Sequence, residues 1–141
     1  MRTIDTNAAG RLRAPTLEDM EALADAAFAR LPPTFRRLCE GLVIQVVDFP
    51  DDDTLDEMEA ESEFDLLGLF RGQGLAHRGA LDETGQLPNM IWLYRRPLLD
   101  YWCDGDDTLE AVVTHVLVHE IGHHFGLSDA DMEAIERQAR D

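Results

Sequence analysis

Lysine is missing from this chain. Its twelve cations are all arginine, set against 29 aspartates and glutamates, for a formal charge of −17. Binding a phosphate backbone needs a positive surface, so nucleic acid is not an expected partner. Anionic membrane surfaces are disfavoured on the same ground. Long apolar runs are missing too. None reaches the roughly 18 residues that suggest a membrane span. The first 30 residues are broken by Arg2, Asp5, Arg11, Arg13, Glu18, Asp19, Glu21 and Asp25. No secretory leader is visible there, and the expected location is the cytoplasm. Cysteine is scarce. Cys39 and Cys103 stand far apart and in no CxxC pair. That removes a thiolate zinc site and leaves free thiols as the expectation.

The 141 residues suit one domain with one core, and the 45% apolar fraction is that of an ordinary globular protein. Acid is concentrated between Asp48 and Asp65, where ten acids occur without a base. That segment is either a solvated surface or a patch for cationic peptides or divalent ions.

Residues 1–15 read as a loose, flexible tail, and 16–141 as a single domain. Thr16 caps a helix in which Leu17, Met20, Leu23, Ala27 and Phe28 recur at helical spacing. Pro32-Pro33 stops it, and a second short helix follows, ended by Gly41. Leu42–Phe49 is a near-continuous β-branched run, a strand with both faces covered. Asp65–Gly72 turns into a short strand. A glycine-punctuated polar connection holding His77 leads to a further strand, Met90–Tyr94, which Pro97 terminates. Asp100–Asp107 reads as a loop. Asp107, with Glu110 three residues on, suits a capping box for the next helix. Gly126 ends that helix. Leu127 and Met132 bracket Ser128 as a hydrophobic staple opening a final helix. The order is helices, a few strands, then helices, so the fold class is α+β.

The chain has five histidines, and four fall within ten residues: His115, His119, His123 and His124, in HVLVHEIGHHFGLSD. A buried face excludes imidazoles unless each finds a partner, and one metal ion satisfies several. His119-Glu120-Ile121-Gly122-His123 is an HExxH. Residues four apart on a helix lie on the same side, one turn apart, so both imidazoles reach one zinc ion at about 2.0–2.1 Å. Glu120 lies about 100° round the helix, suited to contacting a water on the metal rather than to ligation. In HExxH peptidases it is the general base. A catalytic zinc needs three protein ligands and one open position. After the turn at Gly126, Asp129 can fold back towards the metal; it can also simply cap the last helix.

The full string HExxHxxGxxD resembles the metzincin signature with Asp in place of the usual third histidine. Together LLGLF, IWLYRRPL and HEIGHHFGLSDADMEAIE resemble the small bacterial zincin-like metallopeptidases, the minimal zincins, over about residues 30–137. The resemblance implies a compact zincin-like domain: N-terminal helices, a small mixed sheet, an active-site helix and a short C-terminal helix. It implies one zinc ion per chain held by His119, His123 and Asp129, with Glu120 as base. The implied activity is hydrolysis of peptide bonds through a zinc-bound water, on a peptide or protein substrate that the family does not specify.

The chain departs from larger metzincins. Twelve residues follow Asp129, too few for the subdomain that completes a peptidase cleft, and no tyrosine follows it to steady an oxyanion. A zinc-holding binding or regulatory module with little turnover is therefore a second reading. A small metal-dependent ribonuclease is a third, opposed by the acidity and by the ligand pattern. Four residues are candidates for supporting the metal or touching substrate. His115, one turn before His119, is a core residue or a support for the metal ligands. Tyr94 and Arg95 come from the strand that lies along the cleft in zincins, and either could face an oxyanion. Met132 lies beneath the metal or in the core. His124 packs or acts as an electrophile, and His77 is a surface residue or a substrate contact. The edge of Met90–Tyr94 is the expected seat for an extended substrate.

Overall fold

A computed structural model describes residues 5–72 and 89–140. Seven of the ten elements in these residues are helices: α1 (Thr6–Gly10), α2 (Leu17–Ala29), α3 (Pro33–Leu38), α4 (Asp52–Glu57), α5 (Arg95–Cys103), α6 (Leu109–His124) and α7 (Asp129–Arg140). The strands are β1 (Val43–Val47), β2 (Gly68–Arg71) and β3 (Met90–Tyr94). The class is the expected α+β.

The strand order is β1-β3-β2, with β1 parallel to β3 and β2 antiparallel to it. β3 is therefore the central strand. Ile91 and Leu93 are wholly buried on its inner face, while Met90 and Trp92 alternate onto the outer face. Both edges of β3 are hydrogen-bonded, so it cannot seat a substrate by its main chain. That expectation is corrected: among the described residues, the strand beside the histidine helix with an open edge is β2. β1 is corrected as well. It is an edge strand whose Val43 and Gln45 are exposed, so only one face is well covered.

α6 is apolar over most of its surface, and Glu110, His115, His123 and His124 are its exposed residues. Val113, Leu117, Val118 and Ile121 are each 0% exposed, and α2, α5, α7, β2 and β3 all pack against it. Its N-cap is Thr108, whose hydroxyl accepts from the Ala111 amide at 3.1 Å. Asp107, one residue earlier, does not fill that place. Pro97 does not end a strand in open chain either. Tyr94 passes straight into α5, and Pro97 sits in its first turn, where a missing N–H costs nothing. Asp100–Cys103 is consequently helical, not loop. Within the tail, residues 6–10 form one exposed helical turn capped by Asp5. Cys39 is buried and Cys103 exposed, both free.

The end of α6 determines how α7 arrives. Gly126 takes φ +75, a left-handed conformation that costs a side-chain-bearing residue energy. Its amide bonds the His123 carbonyl at 3.1 Å, and that of Leu127 bonds Gly122 at 2.9 Å, closing the two open carbonyls as a Schellman motif does. Ser128 then caps α7 through the Asp131 amide at 3.1 Å. The sharp return lays Met132, 0% exposed, against the HExxH helix at Gly122. A Cβ at Gly122 would lie 2.5 Å from the Met132 sulfur. Gly122→Val is therefore expected to destabilise the fold by about 1–3 kcal/mol through overpacking, read as a lower urea midpoint. An unchanged midpoint would mean that Met132 repacks freely.

Candidate metal centre

His115, His119 and His123 occupy three successive turns of α6. The rings of His115 and His119 are 4.0 Å apart between centroids, and those of His119 and His123 are 5.6 Å apart and nearly perpendicular. His119 is the most enclosed of the three, with its side chain 23% exposed. Burial first, then the His115 charge, lowers its pKa below the usual imidazole value, with Glu136 opposing. That shift favours the neutral form, the one that can ligate a metal. His123 is exposed.

Glu120 lies between them in sequence and is partly buried. Burial raises its carboxyl pKa above the usual glutamate range, and the nearby His123 opposes that shift. A carboxylate that holds its proton more tightly than usual is a better proton acceptor.

Asp129 is the first residue of α7, immediately after the Gly126 turn, and it is exposed. Its charge reaches His119. Even so, the donor atoms of His119, His123 and Asp129 are not drawn together. Among the described residues, the set of three whose donor atoms all lie within 4.8 Å of one another is His115, His119 and Glu136. Glu136 Oε1 lies 2.6 Å from His115 Nδ1 and 3.7 Å from His119 Nε2. The sequence reading overlooked Glu136. The signal was present: Met132, Ile135, Glu136 and Ala139 recur at helical spacing, so this acid falls on the apolar stripe of α7. At 9% exposure it is buried, and a buried carboxylate needs partners.

The other candidates are placed as follows. The Arg95 guanidinium is held by Asp48 at 3.0 Å and by the Pro15 carbonyl at 2.6 Å, which ties the N-terminal segment to α5. Tyr94 is 3% exposed; burial raises its pKa, Arg71 lowers it, and Asp51 and Glu120 raise it further. It lines a groove of about 460 Å³ on the outer face of the sheet, with Trp92, Val47, Asp51, Glu57 and Arg71. Those lining residues include no histidine, although the charge of Glu120 reaches Tyr94. Met132 lies under Gly122, as described. His124 packs on Phe70, with ring centroids 4.2 Å apart, and close over Gly72. His77 lies outside the described residues.

A family model described as zincin-like metallopeptidase matches residues 39–139. No curated protein matches the chain. Among solved structures, a conserved hypothetical protein from Thermus thermophilus matches with a TM-score of 0.53 at 23% identity, covering 78% of this chain and 94% of that one. At that identity the likeness concerns the fold. No helix among the described residues is long and apolar enough to cross a membrane.

Proposed function

Because the chain belongs to the zincin-like metallopeptidase family, we propose that it is a zinc-dependent hydrolase of peptide bonds. His119, His123 and Asp129 would hold the ion, and Glu120 is the general base. The observation that carries this reading is the state of Glu120: partly buried, beside two histidines one turn apart, with its proton affinity raised. The donor set fits zinc, which takes imidazole nitrogen and carboxylate oxygen and keeps one position open in catalytic sites. His119 and His123 stand one turn apart on α6, and Asp129 opens α7 after the Gly126 turn. The three donors are not gathered in this structure, so Asp129 would have to move in to complete the set.

Zinc held there supplies a water of lowered pKa and a polarised substrate carbonyl. Glu120 takes the proton on its carboxylate and later passes it to the leaving amine. The outer edge of β2, to which no strand among the described residues is paired, supports an extended substrate, because that strand packs directly on α6. His124 and Phe70 bridge α6 and β2, which fixes the distance between that edge and the histidines.

The test is a peptide library incubated with the zinc-loaded protein, with a chelated control and a zinc-restored sample. Cleavage that disappears on chelation and returns with zinc is expected. Absence of cleavage in all samples would favour the second reading, a zinc-holding binding or regulatory module.

A further inference from the structure

We propose a second metal-binding set on this chain, made by His115, His119 and Glu136, which shares His119 with the HExxH set and so competes with it for a single ion. His115 and His119 are four residues apart on α6, and Glu136 reaches them from α7. Their three donor atoms are the ones the fold has gathered.

The distances suit a zinc ion after a small adjustment. Bonds of about 2.0–2.1 Å in a tetrahedron place donors about 3.3–3.4 Å apart. The His119–Glu136 separation of 3.7 Å is already close to that. The His115–Glu136 contact of 2.6 Å must widen, which the 47% exposed His115 side chain can accommodate. The buried end of the site is the less mobile one. The Glu136 side chain is only 11% exposed and stands on the apolar stripe of α7. A carboxylate placed there loses hydration and must recover it from partners. The His115 imidazole now serves as such a partner at 2.6 Å, with His119 further off at 3.7 Å, and a divalent cation would do so more fully. Two histidines and one carboxylate would supply three protein ligands, the number that a catalytic zinc takes.

The two sets differ in what stands beside the ion. Glu120 follows the first histidine of the HExxH set. In the alternative set the residue following His115 is Val116, 5% exposed and part of the core. An ion held one turn earlier therefore stands further along α6 from Glu120, which follows the second of its two histidines. On the reading of Glu120 as base, this is the less active position, and the balance between the two sets governs how much of the bound metal is competent. The ligand assignment does not depend on that reading.

The experiment is zinc titration of the full chain against a competing chelator, paired with visible spectra of the cobalt-substituted protein. In His123→Ala/Asp129→Ala, one zinc per chain is still expected to bind, and adding Glu136→Gln is expected to weaken that binding at least 100-fold. His115→Gln in the same background should act in the same direction. A folded double variant that binds no zinc would overturn the proposal, as would one whose zinc is indifferent to Glu136→Gln. If the alanine pair fails to fold, as judged by circular dichroism, His123→Gln/Asp129→Asn takes its place with the same readouts. Peptide cleavage by the wild type is measured separately, so failure of the hydrolase reading leaves this test intact.

Discussion

Glu120→Gln is expected to abolish most peptide hydrolysis, a fall of about 10²–10⁴-fold, while leaving zinc content and the thermal midpoint close to wild type. Glutamine keeps the size and hydrogen-bonding reach of the side chain and removes the proton acceptor. The fold should tolerate the change because burial already disfavours the charged form at this position. A neutral amide therefore takes the place of a group that is costly to ionise. The check is a paired measurement of kcat/KM and metal stoichiometry on the same preparation. Loss of zinc together with activity would show that Glu120 holds the metal. Full activity with full zinc would move the base elsewhere.

His119→Ala is expected to eliminate tight zinc binding altogether. His119 is the donor common to the HExxH set and to the His115–Glu136 set, so its removal leaves neither complete. The consequence extends to stability. An ion that binds the folded state alone stabilises it by about 2.7 kcal/mol at a free concentration 100 times Kd. The zinc-dependent rise in thermal midpoint should therefore vanish in this variant, even at high zinc. His123→Ala, by contrast, should retain part of that rise. If His119→Ala still shows a wild-type zinc response, the ion sits elsewhere and both ligand sets fail.

The parts of the fold legible in the sequence were those fixed by local chemistry. The HExxH helix announced itself through a largely apolar surface carrying histidines. Gly126, Ser128, Leu127 and Met132 predicted how it ends and how α7 begins, because each acts on neighbours a few residues away. β3 was recognised as a strand for the same reason. Its central position was not, since strand order depends on which segments meet in space and no periodicity records that. Asp107 and Thr108 are adjacent and both able to cap, so composition could not choose between them. Pro97 read as a strand terminator, yet proline is equally at home in a first helical turn, and α5 begins there. Glu136 was passed over as one more acid in an acidic chain. Only its phase with Met132, Ile135 and Ala139 separated it from solvated neighbours, and its partners lie about twenty residues upstream.

The enclosure of α6 has a consequence for how the molecule opens. Amides of a helix packed by five other elements exchange with solvent only when much of the domain unfolds, whereas a helix whose main packing among the described residues is on one neighbour, as that of α7 is on α6, can open locally. The imidazoles of both proposed ligand sets are carried by the first kind of helix, and their carboxylates, Asp129 and Glu136, by the second. A local detachment of α7 would strip each ligand set of its acid at once and leave the histidines in place. On either proposed ligand set, metal release is expected to follow this local opening rather than the global one.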